Sequence, residues 1–310
     1  MLTKTAFDLL KKTYNSWNED NAPRLGAALS YYTIFSIAPL LVIATAIAGV
    51  ALGHDAVQGQ LKETLTGTLG QNGAQAVEGM VTSANRSGTG TVATVAGIIM
   101  LIAGASGVFA ELQGSLNTIW GVVPKKDRGV WAVIQDRFLS VVMALGTAFL
   151  LLVSLVVSAV LAGVGKYLSG SLPGGEMLWS AVNSVVSFGV VALMFALLFK
   201  YLPDAKTHWK DIWIGALATA ALFVVGKTVI GLYLGRTSVS SAYGAAGSLA
   251  IVLLWVYYVA QIFFFGAEFT KVYAGTHGSR VIPAKNAVPV TEEARAQQGI
   301  PHRDGQGGPV

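Results

Sequence analysis

Charged positions punctuate this chain rather than fill it. None occurs between Arg24 and His54, Arg86 and Glu111, Arg137 and Lys166, Glu176 and Lys200, Asp211 and Lys227, or Arg236 and Glu268. Each stretch runs for roughly fifteen to thirty residues, close to or above the ~18–20 apolar residues that a helix needs to cross ~30 Å of hydrocarbon. A buried helix of a soluble protein matches one such run, but not six in one chain. The pattern predicts an all-α, polytopic membrane protein with six transmembrane helices, over about 26–53, 91–120, 138–166, 178–200, 212–235 and 246–272.

The polar connections carry the orientation. Sixteen Lys and Arg fall in the N-terminal segment, the second and fourth connections and the C-terminal segment. Only Lys62, Arg86, Lys166 and Arg236 fall on the other side, and Lys227 lies inside a span. Basic residues are retained on the cytoplasmic side, so both termini are predicted to be cytoplasmic.

Outside the 23–274 membrane domain, the pattern changes twice. Over 1–22, Leu2, Ala6, Leu9, Leu10, Thr13 and Trp17 share one helical face, with Lys4, Lys11 and Lys12 mostly off it. This predicts an amphipathic cytoplasmic helix, lying in the headgroup layer or packed under the bundle. The segment lacks the uninterrupted apolar core of a cleavable signal. From 275 to 310, Gly, Pro, Gln and charged residues dominate, and a disordered cytoplasmic tail is expected. The external connection 54–90 repeats Val57, Leu61, Leu65 and Leu69, breaks at Gly70-Gln71-Asn72-Gly73, and resumes with Ala76, Val77, Met80 and Val81. Two short amphipathic helices are predicted, as a cap on the bundle or as a gate.

Composition excludes more chemistry than it suggests. Charged residues make up 12%, about half the usual share of a soluble domain, and mean hydropathy is +0.59. Cysteine is absent, which removes disulfides and thiolate metal sites. His54, His208, His277 and His302 are scattered without paired metal-ligand spacing. The run Ala221 to Thr228, with Gly226-Lys227-Thr228 at its end, fits a relaxed phosphate-loop pattern. Its amides belong to a membrane helix and are bonded internally, so the nucleotide reading fails. The basic excess is a topology signal, and no nucleic-acid partner, metal or cofactor is expected.

Polar residues inside the spans are the candidate chemistry, because a charge in hydrocarbon costs at least ~2.5 kcal/mol. Lys227 sits ~23 Å from the cytoplasmic end of its helix and Glu111 ~14 Å from its own, at 1.5 Å per residue. Gln261 shares the depth of Glu111. With Tyr31, Tyr32, Asn117, Asn183 and Tyr243 they outline a polar cavity between helices, with Lys227 and Glu111 communicating through it. For each residue alone, interhelical hydrogen bonding is the simpler role. Small residues at Ala103, Gly107, Ala110 and Gly114 predict a central, closely packed second helix.

Four ordered blocks, AALSYYTIFSIAPLL (27–41), LQGSLNTIWGV (112–122), YLPDAKTHWKDIWIGAL (201–217) and the run from Ser241 to Phe269, give the chain its resemblance to a known family. It resembles the YihY/BrkB-type inner-membrane proteins, formerly labelled ribonuclease BN. The resemblance implies a six-helix bundle in the bacterial cytoplasmic membrane. It adds Pro39, Trp120, Pro203, Gly244, Trp255, Gly266 and Glu268 as motif positions, none with an implied chemical role. A ribonuclease needs metal-binding groups or an acid–base pair in water, and Asp127, Asp136, Asp204, Asp211 and His208 are too dispersed for that. The leading expectation is a transporter or translocase of a small polar or amphipathic molecule, such as a lipid precursor. The alternative is a non-catalytic scaffold for envelope machinery. Membrane lipids are the expected surroundings, and oligomeric state is not readable.

Overall fold

The structure, a computed structural model, describes residues 2–52, 54–85, 107–125, 142, 175–236, 247–277 and 281–297. Helix α1 spans Leu2–Glu19, α2 Ala22–Leu52 and α3 His54–Asn85. Helix α4 covers 107–120, followed by strand β1, Val122–Pro124. Then come α5 (Gly175–Tyr201), β2 (Ala205–Lys206), α6 (Trp209–Arg236) and α7 (Gly247–Thr276). The chain closes with β3 (Ile282–Pro283), β4 (Ala287–Pro289) and α8 (Glu292–Gln297).

Among the described residues, three segments are long and apolar enough to cross a membrane: Ser180–Tyr201, Trp209–Tyr233 and Leu249–Thr276. They fall within α5, α6 and α7. Only 107–120 of the expected second span is described, and the third, apart from Val142, lies outside the described residues. Pro39 lies within α2, which runs as one helix through it.

Among the described residues, helix α7 is central, packing against α1, α2, α3 and α6. Its contact with α6 is built from reciprocal glycine–threonine pairs. A Cβ on Gly266 would collide with the Thr219 hydroxyl, and one on Gly215 would collide with the Thr270 hydroxyl. Each threonine donates its hydroxyl proton inside its own helix, Thr219 to Gly215 O and Thr270 to Gly266 O, both at 2.7 Å. The polar groups are thereby satisfied while the two backbones approach, which is how small residues hold membrane helices together. Around this seam Phe195, Phe199 and Phe263 interlock, with the Phe263 ring centroid 5.0–5.8 Å from the other two. Leu116, Ile119, Leu202 and Ile212 complete a core that water does not reach.

The break expected at 70–73 in α3 occurs at Gly70, whose φ of 72° and ψ of 175° interrupt the helix. The resulting helical hairpin does more than rest on a surface. Leu69 and Val77 are buried against Val252 and Val256 of α7, with Ile34, Ile37 and Leu41 of α2 alongside. Val256 is nine residues into α7, so the hairpin reaches ~14 Å along that helix from its start.

The largest departure from expectation is the C-terminal segment. Composition argues for disorder from 275 onward, but residues 281–297 form β3, β4 and α8. Strand β4 pairs antiparallel with β1, matching Val122 with Pro289 and Pro124 with Ala287. Strand β3 pairs with β2, matching Ala205 with Pro283. Backbone bonds from Val290 N to Gly121 O (2.9 Å) and from Ala284 N to Asp204 O (2.8 Å) add to these ladders. The order comes from edges offered by distant connections, which local composition does not register. The α1–α2 junction, the ends of α4 and α5, the start of α6 and the C-terminal segment therefore meet at one end of the bundle, the basal end.

Candidate functional site

The turn between α1 and α2 sets up the site. Asn21 takes a left-handed conformation (φ 53°), which ends α1 and lets Arg24 N and Leu25 N bond back to its carbonyl. Pro23 then falls in the first turn of α2, where its missing N–H costs no helical bond. This turn lays α1 along α7. Thr13, Ser16 and Asp20 share the buried face of α1 and Trp17 flanks it half-buried, while Phe7, Leu10 and Tyr14 point outward. Of the two placements read from the sequence, packing on the bundle describes the inner face, and the exposed apolar stripe suits a membrane surface.

A cavity of about 310 Å³ opens between α1, α6 and α7, lined by Tyr14, Trp17, Leu222, Tyr258, Gln261 and Phe265 among others. Its size is at the lower end of the ~300–1,000 Å³ usual for small-molecule sites. The walls are aromatic and aliphatic, and none of the lining side chains is charged. Gln261 is the exception to the apolar lining. Both its amide atoms are buried without a hydrogen-bond partner, as is the Trp17 indole nitrogen. Room for the amide comes from Gly26 of α2, where a Cβ would collide with Gln261 Nε2. A buried amide left unpaired costs ~1–3 kcal/mol, so this position beside the cavity is energetically expensive to keep.

Two helical turns further along α7, on the same face, lies a buried ionic node. Lys271 Nζ is 2.6 Å from Asp20 Oδ2 and 2.7 Å from Glu268 Oε2. Arg295 of α8 reaches Asp20 Oδ1 at 2.8 Å, with side-chain exposures of 2% and 0%. Burial pushes the Asp20 carboxyl up. Lys271, a hydrogen bond with Glu268 and Arg295 outweigh that and hold it below the ordinary carboxylate value. Because the folded-state pKa lies below the unfolded one, the stability Asp20 contributes is complete above the ordinary carboxylate range. It is lost only as the pH falls through the lowered value.

The other expected site residues go to different places. Asn117 clasps Asp204 in the turn after α5: Asn117 Nδ2 donates to Asp204 Oδ2 at 2.8 Å, and Asp204 N donates to Asn117 Oδ1 at 2.7 Å. Gln113 adds a longer contact to the same carboxylate at 3.5 Å. This pair joins two of the sequence blocks, with Trp120 and Pro203 buried beside it. Glu111 is half-buried on α4, and Asn183 is half-buried on α5 with its Oδ1 unpartnered. Tyr31 and Tyr32 are exposed, with Tyr32 near Gly107. Lys227 is exposed on α6 among Val224, Val225 and Val229. The described residues therefore place Lys227 and Glu111 in different surroundings, and only Gln261 of the expected polar set lines the groove. Trp255 packs on the α3 hairpin. Tyr243 and Gly244 lie outside the described residues.

Glu268, a motif position in the sequence, is paired with Lys271, three residues on. Asp20 and Arg295 are site residues that the sequence does not disclose. The i, i+3 spacing of Glu268 and Lys271 is a visible signal, whereas nothing local links Arg295 to a residue 275 positions earlier. Among the described residues, no three His, Cys, Asp or Glu side chains converge to hold a metal ion.

Long apolar helices knitted by small residues, with a groove and a buried node on one face, define an α-helical integral membrane protein. The chain matches the Virulence factor BrkB family over residues 13–289 and belongs to that family. It is 30% identical to a UPF0761 membrane protein of Verminephrobacter eiseniae over 275 residues, 86% of this chain and 61% of that one. It is 27% identical to one from Alteromonas mediterranea over 253 residues, 81% and 83% of the two chains. The chain spans about three-fifths of the length of the first two relatives it matches. No solved structure matches. Like these relatives it is a membrane protein, and its apolar helices fit the bacterial cytoplasmic membrane.

Proposed function

We propose that the protein is a transporter or translocase that takes an amphipathic, lipid-like molecule into the groove between α1, α6 and α7. The observation that carries this reading is the apolar cavity itself, with Gln261 in its lining and the Gln261 amide buried against Gly26 without a hydrogen-bond partner. Apolar walls suit a hydrocarbon portion, and an amide that both donates and accepts suits a neutral polar group such as an ester, hydroxyl or amide. The groove thus favours an amphiphile over a small, fully polar solute. In this reading six helices span the membrane and the basal end faces the cytoplasm. The Lys and Arg excess of the segments gathered there supports that orientation.

The test is leaflet exchange in vesicles containing purified protein and fluorescently labelled phospholipids, neutral and acidic, followed by quenching from outside. Wild type is expected to accelerate exchange of at least one lipid. Gln261→Leu and the groove-filling Leu222→Trp should reduce that acceleration at least tenfold. Lys227→Met, on the exposed face of α6, should retain it. Exchange no faster than in empty vesicles would overturn the translocase reading. A scaffold draws support from the ordered basal end and predicts that negative result. The ribonuclease reading loses ground at Asp204, whose carboxylate is engaged by Asn117 and Gln113.

A further inference from the structure

We propose that α3 is a re-entrant hairpin, which dips into the bilayer from the end opposite the basal end and lines a water-filled vestibule with its outward polar face. Two helices place its tip at membrane depth. Ile34 and Ile37 of α2, which pack against the Leu69–Val77 cluster, lie ~15 and ~20 Å beyond Arg24, the last charged residue before the uncharged run. Val256 and Val252 of α7, in the same cluster, lie ~18 and ~24 Å before Glu268, which ends the uncharged run of that helix. Both levels fall inside a ~30 Å hydrocarbon layer. The connection agrees with them. Helix α3 starts two residues after α2 ends, and from His54 to Leu69 it returns ~22 Å, which is the distance from Leu52 back to Ile37. At the tip, a Cβ on Gly73 would stand 3.3 Å from an Ile251 methyl group, so the turn rests directly on α7.

The outward face of this hairpin is a poor surface for lipid. Thr66, Gln71 and Gln75 are exposed on it. Gly70 breaks the helix at the tip, and a Cβ there, or at Gly67 or Gly79, would meet no atom within 4 Å. Non-helical backbone at membrane depth survives only where protein buries it or water reaches it, and the open space beside Gly70 leaves water. Lys62 and Glu78, each eight residues from Gly70 and so ~12 Å further out, face each other across the two arms at 3.8 Å. That level is close to where the hydrocarbon ends, so these charges avoid the cost of the bilayer interior and mark the mouth of the vestibule. A space lined by amides and hydroxyls takes water and neutral polar groups through hydrogen bonds, not acyl chains. For an amphiphile it would hydrate the polar portion while the apolar groove holds the chain. That use rests on the translocase reading; the vestibule does not.

The chain has no cysteine, so a single nitroxide can be placed at Gln71→Cys, Gln75→Cys or Leu254→Cys in the full-length protein. Each protein is held in phosphatidylethanolamine–phosphatidylglycerol vesicles. Collision with a water-soluble nickel chelate then reports water, and collision with oxygen, which concentrates in hydrocarbon, reports lipid. Leu254 is exposed on the face of α7 opposite Val252 and Val256, at the level of the tip, and supplies the lipid reference. All three positions are exposed, so the substitutions leave the packing of the hairpin on α7 intact. The Gln71 and Gln75 labels should collide with the nickel chelate several-fold more than the Leu254 label, which should favour oxygen. A Gln75 label that favours oxygen as Leu254 does would put the outward face in lipid and overturn the proposal. Nickel access at all three positions would put the tip outside the bilayer and overturn it equally. The measurement involves no lipid exchange. A vestibule in a protein that moves no lipid would uphold this inference and defeat the translocase reading alone.

Discussion

A single asparagine illustrates how much of the basal end rests on individual side chains. Asn117 uses both faces of its amide on Asp204, accepting from the backbone and donating to the carboxylate. Asn117→Ala leaves an N–H and a carboxylate oxygen without those partners and is expected to cost about 2 kcal/mol. Asn117→Asp is the sharper variant: nearly the same size, it loses the donor and sets a second carboxylate against the first. Thermal unfolding in detergent should rank wild type first and Asn117→Asp no better than Asn117→Ala. An Asn117→Asp protein as stable as wild type would mean that the pairing is incidental. At this scale the sequence is partly legible. Asn117, Glu268 and Gln261 stand out as polar groups in apolar surroundings, which is a local property. Lys227 stands out for the same reason but is exposed on α6, since a lysine among valines reads alike from either face of a helix. Arg295 does not stand out, because its burial depends on a partner supplied by the other end of the chain.

Between elements, the α6–α7 seam is the contact most exposed to one extra methyl group. Gly266→Ala would place a Cβ within 3 Å of three Thr219 side-chain atoms, none of them the far end of a flexible chain. The helices must then separate, at a cost of ~1–3 kcal/mol. Thr219→Ala removes two of those atoms, so the double variant should recover part of the loss. A double-mutant cycle in mild detergent measures this coupling, and strictly additive effects would place the two residues apart. The long helices are readable because runs of fifteen or more uncharged residues seldom occur outside membrane spans and fully buried helices. The α3 break is readable because glycines interrupt a four-residue repeat there, and Gly70 takes a φ that favours glycine. The strands are not readable. A strand of two or three residues has no periodicity, and β1 finds its partner more than 160 positions away.

For the whole molecule, hydropathy and the four sequence blocks locate the chain in a membrane and in its family, but do not locate a cavity. The expected polar interior is assembled from residues sharing a depth. Depth alone does not fix which way a side chain points, and among the described residues Gln261 alone of that set meets the groove. The cavity arises instead from where α1 turns, a consequence of Asn21, Asp20, Lys271 and Arg295 acting together across the full sequence. The central claim is that this groove receives one part of a chosen amphiphile rather than bulk lipid. Photo-crosslinking from a benzoylphenylalanine at Leu222 in native membranes, with mass spectrometry of the captured lipid, tests it most directly. The same probe at Val225, 64% exposed outside the groove lining, supplies the bulk-lipid reference. The account predicts that Leu222 captures a narrower set of molecules than Val225, and that Gln261→Leu lowers this capture several-fold. The same lipid mixture at both positions, indifferent to Gln261→Leu, would contradict it.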